Sequence, residues 1–159
     1  MDIFEELHSE HVKVSELIAS LQSNGRDEST VKTLQSELSG HAEAEEQVFY
    51  KRLEDEDETR DLVAEGYTEH EAIASVLTQL GGGGTGEDIF ESILLELKEK
   101  VEHHVGEEEG PLFEKARPLL SKDEAVALCK AFEHAKSQLR EERAGEAGSR
   151  RVEGEPILQ

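Results

Sequence analysis

The chain has 159 residues, the size of one ordinary domain, and its 38 Asp and Glu against 17 Lys and Arg leave a net charge of −21. A surface of that sign repels phosphate backbones and anionic headgroups, so neither nucleic acid nor a membrane is an expected partner. No apolar run is long enough to span a bilayer, the opening MDIFEELHSEH lacks the basic and apolar parts of a secretory signal, and the single Cys129 allows no internal disulfide. A cytoplasmic location is the default expectation.

The apolar spacing is helical throughout. A first helix over 3–22 carries Phe4, Leu7, Val14, Ile18 and Leu21, and Asn24-Gly25 ends it. A second starts near 27–29 and closes at Leu53, before an acidic turn over 54–58. A third covers about 59–80. Five glycines in residues 81–86 then form an inter-helix loop, with neither the Gly-Lys-Ser/Thr ending nor the preceding strand of a phosphate loop. A fourth helix starts near Glu87, is perturbed or interrupted at Gly110-Pro111, resumes over 112–116 and stops at Pro118. Ser121 and Glu124 read as a capping box for a fifth helix over about 122–143. From Gly145 the chain reads as a loose tail, with Pro156-Ile157-Leu158 a frayed end or a docking peptide. The expected fold is all-α: an up-down-up-down four-helix bundle over 1–118, an accessory helix over 119–144 and a flexible tail over 145–159.

Each of the four main helices interrupts its own apolar stripe with a histidine. The seams run Phe4-Leu7-His11-Val14-Ile18-Leu21, Leu34-Leu38-His41-Glu45-Val48, Val63-Tyr67-His70-Ala74-Leu77 and Leu94-Leu97-Val101-His104-Glu108. In two of them a glutamate follows one turn later on the same side. In the up-down-up-down arrangement the six polar positions agree in depth within roughly two turns, at about 1.5 Å per residue. His11, His41, Glu45, His70, His104 and Glu108 are therefore the candidate metal ligands. A buried carboxylate left alone costs several kcal/mol or takes up a proton; two carboxylates and four imidazoles can instead surround two cations. One tetrahedral zinc uses only four donors, and calcium or magnesium prefers more oxygen, so a metal pair fits best, iron first and manganese next.

The remaining polar candidates fall off the seam. His8, His103 and His134 read as exposed or supporting groups, and Glu46, Glu71 and Glu107 flank the site. Tyr67, one turn before His70, is a packing residue or a ligand from its hydroxyl. Tyr50 reads as packing near the bundle end, and Cys129 as a small buried side chain rather than a nucleophile.

With these residues in place, the chain resembles the bacterial hemerythrin-like, or HHE cation-binding, domains. MDIFEELHSEH resembles the segment that supplies the first histidine. HAEAEEQVFY resembles the one placing His41 and Glu45, YTEHEAI the one placing His70, and VEHHVGEEEGPLF the one placing His104 and Glu108. The resemblance implies a four-helix bundle holding two non-haem iron ions, oxo- or hydroxo-bridged, with manganese or zinc as alternatives. Glu45 and Glu108 are then the bridges, His11 and His41 serve one metal, and His70 and His104 the other. It implies a monomer or homodimer that binds or senses O2 or a related small oxidant such as peroxide or nitric oxide. A peroxide-decomposing, catalase- or peroxidase-like di-iron enzyme, or iron buffering and storage, are the alternatives. The family's oxygen carriers place two histidines one turn apart on the third helix. Here His70 has only Gly66 before it and Ala74 after it, leaving Tyr67, Glu71 or His103 for the fifth histidine's place.

Overall fold

The computed structural model describes residues 1–82 and 86–153. Residues 83–85 of the glycine loop, and Pro156, Ile157 and Leu158, lie outside the described residues. Helix α1 spans Ile3–Asn24, with Asp2 and Glu5 forming a reciprocal cap at its start. Gly25 closes it at φ +76°, a conformation that favours glycine, and its N–H reaches the Leu21 carbonyl. Helix α2 spans Glu28–Glu45, capped by Asp27, and runs on through a wide π turn (Glu46–Tyr50) and a last turn (Lys51–Leu53). Helix α3 is Arg60–Gly81. Helix α4 is Glu87–Glu107, extended by a second π turn (Glu108–Leu112), a short helical turn (Phe113–Ala116) and a 3-10 turn (Arg117–Leu119). Helix α5 is Lys122–Glu153.

Of the two outcomes expected at Gly110-Pro111, the structure shows the perturbation: the chain widens into the π turn Glu108–Leu112, with Pro111 inside it, and helix resumes at Phe113. One expectation changes. Residues 145–153 continue α5 rather than forming a loose tail. Gly145 and Gly148 each cost about 1 kcal/mol without breaking a helix, and alanine, glutamate and arginine around them favour it. At the start of α5 the Glu124 N–H reaches the Ser121 hydroxyl as a cap, but the Glu124 carboxylate pairs with Arg52 at 2.7 Å.

The first four helices close a ring of neighbours, α1 on α2, α2 on α3, α3 on α4 and α4 on α1, and α5 packs on α1 and α2. The interior divides into two apolar clusters. One holds Phe4, Phe49, Phe113, Tyr50, Phe132 and Leu139; the other is largely aliphatic, with Val14, Ile18, Leu34, Leu38, Ile73, Leu94 and Val101. His11, His41, His70 and His104 each fall in sequence between members of the two, so the polar residues form a layer across the bundle. Among the described residues no helix is long and apolar enough to cross a membrane.

Phe49 is fully buried, edge-on to Phe4 at 5.9 Å and to Phe113 at 6.0 Å. Phe49→Ala is expected to lower the unfolding free energy of the metal-free protein by about 3–5 kcal/mol, read from urea denaturation. An unchanged midpoint would mean that this cluster does not close the bundle end.

Candidate metal centre

All six seam residues are buried and meet in the central layer. They form two quartets that share the carboxylates: His11, His41, Glu45 and Glu108, and His70, His104, Glu45 and Glu108. Within each quartet one donor atom per residue lies within 4.8 Å of the others. That is close to the span between opposed donors of one ion with bonds of about 2.0–2.2 Å.

The carboxylates divide their oxygens between the quartets. Glu45 Oε2 is 3.5 Å from His41 Nε2, and Glu45 Oε1 is 3.0 Å from His70 Nε2. Glu108 Oε1 is 3.2 Å from His11 Nε2, and Glu108 Oε2 is 3.2 Å from His104 Nε2. Close as they are, most of these approaches are not aligned as hydrogen bonds. Among the described residues the buried side-chain atoms without a hydrogen-bond partner are His11 Nε2, His41 Nε2, both Glu45 oxygens and Glu108 Oε1. All five belong to this one layer. A buried carboxylate with neither oxygen bonded is costly, and a cation between the two pairs satisfies those atoms together. The donor set therefore fits a metal pair.

The outward nitrogens carry a second pattern. Every Nδ1 donates to, or shares a proton with, a carboxylate of the neighbouring helix: His41 with Glu10 at 3.2 Å, His70 with Glu46 at 2.7 Å, His104 with Glu69 at 2.7 Å and His11 with Glu109 at 2.6 Å. The four links run round the bundle from α1 to α2, α2 to α3, α3 to α4 and back to α1. They aim each Nε2 inward. Sequence reading placed Glu46 beside the site and missed Glu10, Glu69 and Glu109. The available signal is that each stands next to a ligand candidate on its own helix (Glu10 by His11, Glu46 by Glu45, Glu69 by His70, Glu109 by Glu108) while serving the helix beside it.

None of the residues expected in the fifth histidine's place enters the layer. The Tyr67 hydroxyl donates outward to Glu54 at 3.1 Å, Glu71 is exposed, and exposed His103 lies 3.2 Å from Glu69. The side chain that enters is Tyr50. It is fully buried, stacked on His70 with ring centres 5.2 Å apart, and donates to Glu108 Oε2 at 2.8 Å. In an α-helix Tyr50 would stand about 140° round from Glu45. The π turn after Glu45 closes over five residues and brings it beneath that carboxylate. Gly66 makes the room: a Cβ there would meet the Tyr50 hydroxyl at 2.5 Å.

Burial pushes the imidazoles towards neutrality, but the Glu45 charge and the Glu10 hydrogen bond outweigh it and hold His41 at about 10. Glu108 and Glu45 likewise hold His104 at about 11, and His70 is raised. Burial opposes ionisation of Glu45 too, yet the His41 charge keeps its carboxyl well below the usual range. Burial, then Glu45 and Glu108, push Tyr50 far upward, so its phenol is neutral in the metal-free protein. Cys129 is held at about 11 by burial and Glu133, a protonated thiol rather than a nucleophile.

Beside the four imidazoles lies a cavity of about 50 Å³, walled by Val14, Leu38, Ile73, Leu77, Val101 and Val105. It has room for a few waters or a diatomic molecule. His11, Val101 and Val105 also line a groove of about 460 Å³ between α1 and α4, on the other side of this wall.

The chain belongs to the hemerythrin HHE cation-binding domain family, whose model matches residues 2–116. It is also 28% identical over 153 residues to a DNA nickase of Nostoc sp. (strain PCC 7120), a match covering 92% of this chain and 42% of that protein. The chain thus spans less than half the length of that relative. No solved structure matches it.

His41 and His104 stand above their ordinary 6.5, so the stability they contribute to the metal-free protein is complete below pH 6.5 and is lost as pH rises through about 10 for His41 and about 11 for His104. Thermal denaturation of metal-free protein should show a midpoint falling between pH 6.5 and about 10; a midpoint that rises there contradicts the charged assignment. Gly66→Ala, by crowding the Tyr50 hydroxyl, is expected to cost about 1–3 kcal/mol. Equal stability to wild type would show that Tyr50 does not occupy this space.

Proposed function

We propose that this chain is a non-haem di-iron protein that binds or senses O2 or a related small oxidant. The observation that carries the reading is the pair of histidine couples sharing two buried carboxylates, with five unpartnered donor atoms pointing into one layer. His11 and His41 would hold one iron, His70 and His104 the other, and Glu45 and Glu108 would each give one oxygen to either metal. Manganese or zinc suits the same donors less well: manganese prefers a set richer in oxygen than four imidazoles and two carboxylates, and zinc takes four donors and has no redox chemistry. Bound iron would supply reversible one-electron exchange between ferrous and ferric states. The protein's own part is to orient the imidazoles through their Nδ1 carboxylates and exclude bulk water with the aliphatic wall. The cavity beside the imidazoles, about 50 Å³, has room only for a small molecule.

Tyr50 favours a second reading, decomposition of peroxide to water and O2. The neutral Tyr50 hydroxyl beside the His70 and His104 couple now donates its one hydrogen to Glu108; with Glu108 holding metal, that hydrogen would be free to turn to a peroxide oxygen, at a position oxygen carriage would fill with a fifth imidazole. Iron storage is disfavoured, since a cavity of about 50 Å³ holds no mineral. The likeness to a DNA nickase supports no such activity here, because the match spans 42% of that protein and a net charge of −21 repels the substrate.

Anaerobic reconstitution with ferrous iron is expected to load two irons per chain, falling to one or none in Glu45→Gln and Glu108→Gln. Optical titration then separates the readings. A reversible spectral change with O2 supports binding or sensing; steady O2 evolution from peroxide, lost in Tyr50→Phe, supports the second. Two bound irons inert to O2, peroxide and nitric oxide alike would overturn both, and cleavage of a supercoiled plasmid would restore the nickase activity to consideration.

A further inference from the structure

Helix α5 lies beyond the residues matched by the family model, yet it reaches the metal layer. Its Lys136 is a buried lysine, 6% exposed, on the face turned to α1 and α2. Nζ donates to Glu10 Oε1 at 2.6 Å and Oε2 at 2.8 Å, and to Glu37 Oε2 at 3.0 Å. Glu10 Oε1 is also the atom that meets His41 Nδ1 at 3.2 Å. One helical turn before Lys136, the Phe132 ring packs edge-on to His41 at 5.7 Å between centres. Gly40 of α2 faces the same stretch of α5: a Cβ there would stand at ordinary contact distance from Lys136 Cε (3.8 Å) and Arg143 Nη1 (3.7 Å). Arg143 in turn holds the Ser36 carbonyl and Glu43, on either side of His41 along α2.

Among the described residues the other three histidines have no such support. Their carboxylates Glu109, Glu46 and Glu69 have side chains 26%, 33% and 21% exposed, and none meets a described lysine or arginine, whereas Glu10 is 11% exposed and clamped on both oxygens. Burial alone would raise the Glu10 carboxyl, but the bonds from His41 and Lys136 outweigh it and hold it at about 2. Glu10 is thus a fixed anion between two donors.

We infer that α5 is part of the metal centre: Lys136 is a positioning residue that holds Glu10, and through it His41, so that docking of α5 and metal retention at the His11/His41 position are coupled. The inference rests on the di-metal reading above. A carboxylate that loses its own anchor no longer pins the imidazole it orients, and loss of such support typically weakens metal affinity about 10- to 100-fold. The coupling is reciprocal, so metal at that position also tightens the helix.

The test is loss of iron from the reconstituted full chain to a ferrous chelator under reducing conditions. In Lys136→Met one of the two irons should leave about 10-fold faster or more and the other at the wild-type rate. Glu10→Gln should do the same, and the double variant should add nothing, because both changes break one chain of contacts. Glu37→Gln, which weakens the outer contacts of Glu37 with Lys136, Arg140 and Lys13 but leaves both Lys136–Glu10 bonds, controls for general loosening and should accelerate loss of that iron less than Lys136→Met does. Amide hydrogen exchange supplies a readout free of chemistry: backbone protection over 132–140 should rise on iron loading in wild type and not in Lys136→Met. The inference is overturned if Lys136→Met loses both irons at wild-type rates, or both faster in equal measure. Additive effects in the double variant, an equal acceleration in Glu37→Gln, or unchanged protection on loading overturn it too. If wild type itself fails to hold two irons, the di-metal reading falls and the inference with it; two irons held alike in wild type and Lys136→Met sink the inference alone.

Discussion

Two carboxylates sit at the centre of this bundle with most of their oxygens unbonded. Glu45 is fully buried and Glu108 nearly so, and each faces imidazole nitrogens at 3.0 to 3.5 Å without the alignment of a full set of hydrogen bonds. A fold that needed only stability would fill such a layer with leucine, since replacing buried ionic groups by apolar ones is often neutral or stabilising. Here the aliphatic and aromatic clusters stop short on either side of it. The rest of the architecture exists to keep six side chains converging at that level.

The convergence is enforced from outside. Each imidazole is held at its outer nitrogen by a carboxylate from the next helix, so the four links tie neighbouring helices together in a closed circuit. A residue beside a ligand on one helix thereby aims a ligand on another, and the rotation of every helix is tied to that of its neighbour. Both π turns begin at or just after a central carboxylate, where the helix gives up regular geometry. In α2 that widening carries Tyr50 under the metal layer. Widened turns of this kind are frequent at functional sites.

Much of this was legible in the sequence. The apolar stripe located all five helices, and interruption of four stripes by histidine located the central layer, because burial periodicity is a property of local spacing. What stayed hidden depends on departures from regular spacing or on contacts between helices. Tyr50 reads in sequence only as packing near the bundle end, because a seam drawn at 3.6 residues per turn cannot foresee a five-residue turn; that left Tyr67, Glu71 and His103 as the candidates for the fifth place. The exchange of Gly66 for a side chain one turn before His70 was visible; that a ring from another helix fills the space was not. The outer carboxylates Glu10, Glu69 and Glu109 look like ordinary solvated charge in so acidic a chain, and only the neighbouring helix gives them a partner. Lys136 carried no sequence signal, since a buried lysine reads like an exposed one until the helix against it is known. The end of α5 reads as a tail in sequence because residues 145–159 hold three glycines, a proline and few apolar side chains; the helix formers among 145–153 nevertheless carry the helix to Glu153.

The most direct test of the central claim is a crystal of the iron-loaded protein measured at the iron absorption edge. The account predicts two anomalous peaks in the layer, one between His11 and His41 and one between His70 and His104, with Glu45 and Glu108 spanning both. A single peak, peaks only on the acidic surface, or a layer in which the four Nε2 atoms turn away from bound metal would contradict it.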